Sequence, residues 1–166
     1  IVVSAGNDAD SPTPSQDPNN PDPFSVGIRA AGNGNVIIAG SVDSGNVLSD
    51  FANRAGGEAS WYLSALGERI CCVYEGSTPK ITVQGGQNFV TVISGTSFSS
   101  PLVAGTVALM LSARPGLTPA QVKSALQSSA RAFPSSGQSG VQACQAPGNV
   151  DQLECYCTKT TCGAGL

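Results

Sequence analysis

The 166-residue sequence predicts an α/β fold built on a mostly parallel sheet. Short apolar runs of strand length alternate with helical segments, which is typical of βαβ units. One of these runs, 36–42, is apolar over most of its length, as in a strand that is buried on both faces. A long apolar helix follows the last strand, and a helix that is apolar nearly all round is expected to be central and buried.

The strand candidates are separated by strong turn and loop signals. Residues 1–6 are predicted to form a buried strand that runs into Gly6, and 36–42 form the second. Residues 7–25 are predicted to be a loop, because its five prolines lack an amide donor and fix φ. Further short strands are expected at 70–74, 81–83 and 89–93.

Two helices are predicted together with their ends. The first covers about 96–113, and Pro101 fits in its first turn, where the missing N–H is not needed. The second covers 119 to about 130. Thr118 is a good N-cap for it, and Gln121 completes a capping box.

Composition limits the classes of function. Only 11% of the residues are charged and the net charge is −3, so no nucleic-acid partner is expected. The longest apolar stretch is interrupted by Gly105 and Thr106, so no membrane segment is expected either. No signal peptide opens the chain, and both ends are expected to be cuts in a longer protein. Residues 1–166 are expected to be one unit, with a Cys-rich tail at 134–166 packed on it.

Six cysteines in so charge-poor a chain favour an oxidising compartment. Four of them lie in the tail. Two disulfides are preferred there over a four-thiolate zinc site, because Cys155 and Cys157 are closer together than the usual zinc pair. Cys71 and Cys72 are adjacent, and a disulfide between neighbours is strained. Each is therefore expected to pair elsewhere or to stay reduced.

The most specific chemical signal is segment 95–105, Gly-Thr-Ser-Phe-Ser-Ser-Pro-Leu-Val-Ala-Gly. It places Ser97 at the start of the apolar helix, directly after a strand and Gly95. The first amides of a helix have no intrahelical partner, and the helix dipole adds positive potential there. An oxyanion formed at Ser97 would be stabilised, and Gly95 would let a substrate backbone pass close. A lone serine at this place would more often be only a helix cap.

Segment 95–105 resembles the serine motif of the subtilase family of serine proteases, Gly-Thr-Ser-x-x-x-Pro-x-Val-Ala-Gly. The family usually has histidine where Leu102 stands, a departure that affects helix packing more than mechanism. Residues 3–7 are similar to the family's strand ending in Ala-Gly-Asn, and 36–43 with 48–53 resemble a further strand and turn. Other short matches are similar to autotransporter subtilases and to secreted proteobacterial subtilases, and both remain open.

The resemblance implies a serine endopeptidase that hydrolyses peptide bonds by acyl transfer. This chain would be the C-terminal part of its subtilisin-like catalytic domain. Ser97 would be the nucleophile, and the Asn7 side chain would donate to the oxyanion. The expected substrate-binding residues are Ala5, Gly6, Ser94, Gly95 and Thr96, with Gly85 and Gly86 as further candidates along the channel.

The chain contains no histidine, so the base of a catalytic triad is missing from it. In subtilisins the chain order is Asp, His, Ser, so the acid and the base are expected before residue 1. The isolated chain is expected to be inactive, and its expected partner is an N-terminal half that holds both residues. The alternative is a non-catalytic, protease-like fragment that binds a peptide or a partner chain. An exported bacterial protein, extracellular or on the cell surface, is the expected setting.

No cofactor is required for this chemistry. Two interpretations fit the acidic residues at 8, 10, 17, 22 and 43: a solvated loop or a binding site for a structural calcium ion. These residues lack the spacing of an EF-hand. Asp43 is the best candidate ligand, because its position at a strand end is similar to a calcium-ligating position in some subtilases.

Overall fold

A computed structural model describes residues 1–10, 16–145 and 153–166. Its centre is a parallel sheet in the order β1 (Val2–Ser4), β2 (Ile37–Val42) and β3 (Tyr62–Leu66). Val3 pairs with Ile38, which pairs in turn with Tyr62. Every residue of β2 is buried, so the predicted parallel sheet and its buried strand are confirmed.

Helix α1 (Pro23–Ala31) connects β1 to β2. Asp22 caps it by accepting the Phe24 N–H at 2.8 Å, and Pro23 takes the first helical position. The loop prediction for 7–25 was therefore wrong at its end. Proline is excluded from a helix interior but is favoured in the first turn, where no N–H is needed.

A 3-10 helix (Gly56–Trp61) follows β2 and leads into β3, an element that the sequence analysis missed. The two faces of the sheet then build separate parts of the core. Ile38 packs with Ala5 and Tyr62 on one face. Ile37 packs on the other face, where the second long helix lies.

That helix is α2 (Thr96–Ala113), and its boundaries are the predicted ones. Val103 is buried against Ile37 and Leu63, which confirms that α2 packs on the sheet. Burial on all sides is not seen, because no described element covers the face that carries Leu102 and Leu109. By length and composition alone α2 could also cross a membrane, a test that core helices of soluble proteins pass too. The expected absence of a membrane segment stays a prediction.

Helix α3 (Pro119–Ser129) follows α2 and begins with the predicted capping box. The Thr118 hydroxyl accepts the Gln121 N–H at 3.3 Å, and the Gln121 side chain accepts the Thr118 N–H at 2.8 Å. On the outer side of α3, the Lys123 ammonium lies 3.4 Å from the centre of the Trp61 ring. A cation over an aromatic face adds to the packing of α3 beside the 3-10 helix.

Between β3 and α2 the chain forms a projection of short antiparallel strands, residues 70–93, which we call the arm. At its root β4 (Ile70–Cys71) pairs with β9 (Val92–Ile93). Beyond the root lie two hairpins, β5 (Tyr74–Glu75) with β6 (Thr78–Pro79), and β7 (Ile81–Gln84) with β8 (Gln87–Val90). Cys71 and Cys72 lie side by side at the root of the arm, and the redox state of this pair stays a prediction. The other four cysteines are committed to one another.

The Cys-rich tail lies against the turn that follows β2. Strand β10 (Gln142–Ala143) pairs with β11 (Cys155–Tyr156), and the short helix α4 (Lys159–Cys162) comes next. The Leu48 N–H donates to the Cys155 carbonyl at 2.9 Å. Disulfides join Cys144 to Cys155 and Cys157 to Cys162, the two tail disulfides that the sequence analysis preferred.

Candidate active site

The end of β1 and the start of α2 meet through the side chain of Asn7. Its Oδ1 accepts the Thr96 N–H at 2.8 Å and the Thr96 hydroxyl at 2.9 Å. The Thr96 hydroxyl also accepts the Gly6 N–H at 3.2 Å. Thr96 is 0% exposed, whereas Asn7 and Ser97 are both exposed. Thr96 thus ties the two segments together beneath the surface on which Asn7 and Ser97 lie.

This network fixes the orientation of the Asn7 amide. A backbone N–H can only donate, so the atom that receives the Thr96 N–H must be the oxygen, and the other atom is the NH2 donor. That Asn7 Nδ2 lies 3.4 Å from where a Cβ on Gly95 would be. The Asn7 donor is therefore next to Gly95, two residues before Ser97.

Asn53 supports the turn that presents Asn7. It is 2% exposed, its Oδ1 accepts the Asp8 N–H at 2.8 Å, and its own N–H donates to the Gly6 carbonyl at 3.1 Å. Gly6 has a φ of 111°, and a Cβ there would lie 3.0 Å from both Asn53 and Asp22. The Gly6 position therefore requires glycine for its conformation and for the close approach of Asn53.

The loop after β3 holds the other side of the Ser97 segment. The Gly95 N–H donates to the Gly67 carbonyl at 2.8 Å, and the buried Ser99 hydroxyl donates to the Ala65 carbonyl at 3.0 Å. A Cβ on Gly67 would run into Ser99 Oγ and lie 2.7 Å from the Gly95 carbonyl oxygen. Sequence reasoning missed Gly67 and Ser99, since the motif leaves position 99 variable and β3, which would have pointed to Gly67, was not recognised.

Ser97 is the second residue of α2, so its N–H has no acceptor within the helix. Within the described part of the chain its hydroxyl makes no hydrogen bond. The Ser97 N–H and the Asn7 amide are two donors at a helix N-terminus, where negative charge is favoured. No histidine exists in the chain to accept the Ser97 proton. The arrangement can stabilise an oxyanion but lacks a base.

The remaining expected substrate-binding residues differ in how far they are exposed to solvent. Ser94 is exposed, and its Oγ accepts the Arg69 N–H at 2.9 Å. The side chains of Ala5 and Thr96 are 0% exposed, because they fill the contact between β1 and its neighbours, so they are closed to a substrate. Gly6 is half-buried and Gly95 is buried, so each offers backbone at most.

Gly85 and Gly86, the further candidates along the channel, form the turn between β7 and β8. Their φ values are 58° and 77°. Two successive positive φ values are typical of a tight hairpin turn and favour glycine. The turn accounts for both residues without a substrate.

Asp43 closes the turn after β2. Its Oδ1 accepts the Gly45 and Val47 N–H groups, both at 2.9 Å, and its Oδ2 accepts from Gln138 Nε2 at 3.3 Å. Calcium needs several oxygen ligands at once. Among residues 1–10, 16–145 and 153–166, no three His, Cys, Asp or Glu side chains are grouped to hold a metal ion. Both Asp43 carboxylate oxygens already accept hydrogen bonds, and the structural calcium ion stays a prediction.

Two carboxyl groups near Asp43 have raised pKa values. Glu68 and Glu154 line one open cavity together with Asp43. Burial is the main reason that the pKa of Glu68 is raised, and Asp50 and Asp43 add to it. Burial likewise raises the pKa of Glu154, with further contributions from Glu68, Asp43 and Asp50 and from a hydrogen bond with Glu68. The cavity joins the β3–β4 loop to the tail.

The comparison with known families matches residues 1–153 to the subtilase family, Peptidase_S8. The chain belongs to the subtilase family. This subtilase chain is 33% identical over 141 residues to the extracellular protease of Xanthomonas campestris pv. campestris, over 84% of this chain and 21% of that protein. It therefore spans about a fifth of the length of this relative.

Solved structures confirm the subtilisin-like fold. MycP1, described as a serine protease and an essential component of the type VII (ESX-1) secretion system, has a TM-score of 0.57 at 25% identity. The match covers 99% of this chain and 40% of that one. A protease from Pseudoalteromonas arctica PAMC 21717 has a TM-score of 0.53 at 23% identity, over 99% of this chain and 39% of that one, and supports the fold alone. This subtilase chain thus shares the subtilisin-like fold of these proteases.

Proposed function

We propose that this subtilase chain is the C-terminal part of the catalytic domain of a serine endopeptidase, with Ser97 as the nucleophile. The observation that supports this most strongly is the junction of Asn7 with the start of α2. This junction supports the proposal because it brings the Asn7 amide to the helix start that carries an exposed serine, although Asn7 and Thr96 are 89 positions apart in the sequence. Capping does not account for Ser97, because Gly95 holds the cap position of α2 and the Asn7 side chain already accepts the first helical N–H.

The reaction follows from these positions. Ser97 Oγ attacks the scissile carbonyl while its proton passes to a histidine from the upstream part of the protein. The Ser97 N–H and the Asn7 amide hold the oxygen that becomes negative. The histidine then returns the proton to the leaving amine, and water hydrolyses the acyl ester on Ser97.

The upstream part of the protein is proposed to hold the catalytic Asp and His and to cover α2. Leu109 is 74% exposed and Leu102 is 49% exposed, on a helix that carries the nucleophile. Among the described strands β1 is an edge of the parallel sheet, and a free edge can pair with another strand. The helix face and the sheet edge together offer the upstream part a place to pack.

Export from the cell is part of the same proposal. The Xanthomonas relative is an extracellular protease, and disulfides suit an oxidising compartment. The proposed substrates are peptides and proteins.

A second candidate is a non-catalytic fragment that binds a peptide or a partner chain. One observation favours it, namely that the chain has no histidine. The two candidates differ in the activity of the complete catalytic domain, which the first requires and the second does not.

The test compares the complete catalytic domain with its Ser97→Ala and Ser100→Ala variants, using casein hydrolysis and labelling by a fluorophosphonate. Ser100→Ala makes the same chemical change one turn away and should retain activity. Ser97→Ala should abolish labelling and reduce turnover about a million-fold, the size known for the nucleophile of subtilisin itself. The 166-residue chain alone should be inert. An inert complete domain would favour the non-catalytic candidate, and an active Ser97→Ala variant would exclude Ser97 as nucleophile.

A further inference from the structure

The residues on either side of Asn7 are both held by Asn53. The Asn53 N–H donates to the Gly6 carbonyl at 3.1 Å, and the Asp8 N–H donates to Asn53 Oδ1 at 2.8 Å. Asn53 is buried, so water does not compete for these bonds. Because Gly6 and Asp8 flank Asn7 in the chain, the two bonds fix the backbone from which the Asn7 side chain reaches Thr96.

The two ends of the Asn53 side chain have opposite requirements. Its Oδ1 must accept, because the partner is the Asp8 N–H. Its Nδ2 must donate, because it lies 3.3 Å from two acceptors, Asp8 Oδ2 and the Asn20 carbonyl oxygen. An aspartate here would bring a second carboxylate beside Asp8, and an apolar side chain would make none of these bonds. The position therefore favours asparagine.

Asn53 is itself anchored to the parallel sheet. The Tyr62 hydroxyl donates to the Asn53 carbonyl at 2.5 Å, and Tyr62 is fully buried at the start of β3. Its ring lies against Gly40 of β2, where a Cβ would overlap the Tyr62 hydroxyl. Asn53 thus joins the centre of the sheet to the turn that carries Asn7.

We propose that Asn53 is a positioning residue for the Asn7 amide. This inference rests on the proposed function, in which Asn7 Nδ2 donates to an oxygen that becomes negative. Thr96 holds the far end of the Asn7 side chain, through Oδ1, and Asn53 holds the backbone at its near end. A hydrogen bond weakens steeply when its distance and angle are lost, so both anchors are needed to place Nδ2.

The experiment is a double-mutant cycle in the complete protease, with a p-nitroanilide as substrate. Asn53→Ala should lower kcat about tenfold or more and leave KM within about twofold, because the misplaced donor acts mainly in the transition state. In the Asn7→Ala background the same change should lower kcat by less than about twofold, because no donor is left to position. Tm should fall by the same amount in both backgrounds, so the loss of stability is separated from the loss of kcat.

Asn20→Ala is the matched control. The Asn20 side chain donates to Asp17 Oδ2 at 2.7 Å and accepts the Gly57 N–H at 3.0 Å, so its loss removes an amide next to Asn53. These bonds do not involve Gly6 or Asp8. The kcat of Asn20→Ala should therefore stay within about twofold of the unaltered protease.

Tyr62→Phe keeps the test decisive if Asn53→Ala does not fold. It keeps the ring in the core and removes only the hydrogen bond to the Asn53 carbonyl. Its kcat should fall about threefold or more, and by less than about twofold in the Asn7→Ala background. An unchanged kcat in Tyr62→Phe, with Asn53→Ala unfolded, would overturn the proposal.

Three results with a folded Asn53→Ala would also overturn it. These are an unchanged kcat, an equal fall of kcat in both backgrounds, and a fall in Asn20→Ala as large as that in Asn53→Ala. A complete protease that is inert, or whose kcat is unaffected by Asn7→Ala, contradicts the proposed function instead.

Discussion

Thr96 is the residue on which the geometry of the site depends most directly. Its N–H and hydroxyl both donate to Asn7 Oδ1, and this leaves the Asn7 NH2 group as the available donor. Because Thr96 is fully buried, water does not compete for these bonds. In the proposed reaction the two oxyanion donors would therefore be set before any substrate arrives, the condition under which such donors are most effective.

Asn7→Ala in the complete protease should lower kcat with little change in KM, because the donor acts on charge that develops only in the transition state. The expected loss is about a hundred- to a thousand-fold, the size known for the equivalent donor of subtilisin. Hydrolysis of a p-nitroanilide measures it, with Asn19→Ala as a control that removes an amide elsewhere. A raised KM at unchanged kcat would place Asn7 in substrate binding instead.

The sequence predicts residues of this site unevenly. Ser97 and Asn7 are predictable because each lies in a recognisable motif. Asn53 is hydrogen-bonded to Gly6, and Gly67 is hydrogen-bonded to Gly95. Because each pair is far apart in the sequence, no local sequence pattern predicts the role of Asn53 or Gly67. The burial of Ala5 and Thr96 is likewise set by the packing of β1 on α2.

At the scale of elements, the loop after β3 and the start of α2 depend on each other. Gly67 accepts the Gly95 N–H and leaves no space for a side chain beside Ser99. The segment that carries Ser97 is therefore fixed from the β3 side by backbone contact and from the β1 side by Asn7.

Gly67→Ala should destabilise the catalytic domain by about 1–3 kcal/mol, because the new Cβ overlaps Ser99 Oγ. Denaturant unfolding measures the change. Gly27→Ala is the matched control: Gly27 is exposed within α1 with no neighbour near its Cβ position, so alanine there should stabilise by up to about 1 kcal/mol. Equal effects of the two variants would contradict the close packing at Gly67.

Helices and strands with several agreeing sequence signals are the ones that can be predicted. The boundaries of α2 and the capping box of α3 are predictable because a motif, a proline in the first turn and a cap agree. Helix α1 was hidden by the prolines that precede it. Strand β3 escaped recognition because Ser64 interrupts its apolar pattern.

At the scale of the whole molecule, the sheet and α2 leave apolar surface that the rest of a subtilase domain would cover. Leu109→Lys should destabilise the complete catalytic domain by at least about 2 kcal/mol, because it buries an unpaired charge. Phe24→Lys, at a similarly exposed site on α1, should stay within about 0.5 kcal/mol. Thermal unfolding of both variants provides the measurement, and a Leu109→Lys effect as small as that of Phe24→Lys would show that this face is not covered.

The cavity lined by Asp43, Glu68 and Glu154 is expected to make the stability of the domain dependent on pH. Folding raises the pKa of Glu68 and of Glu154 above the ordinary value of 4.5. Both carboxyl groups therefore bind a proton more tightly in the folded protein than in the unfolded chain. Their stabilising contribution is fully present below that value and is lost as pH rises through the raised folded pKa. Tm should therefore fall as pH increases above about 4.5, and Glu68→Gln/Glu154→Gln should flatten that fall. An unchanged slope in the double variant would contradict the assignment.

The central claim is that Ser97 is a nucleophile whose base comes from the upstream part of the protein. Peptide mapping by mass spectrometry after fluorophosphonate treatment tests it most directly. The complete catalytic domain should bear a single adduct on Ser97, and the 166-residue chain treated in parallel should bear none. An adduct on another serine, or equal modification of Ser97 in the isolated chain, would contradict the account.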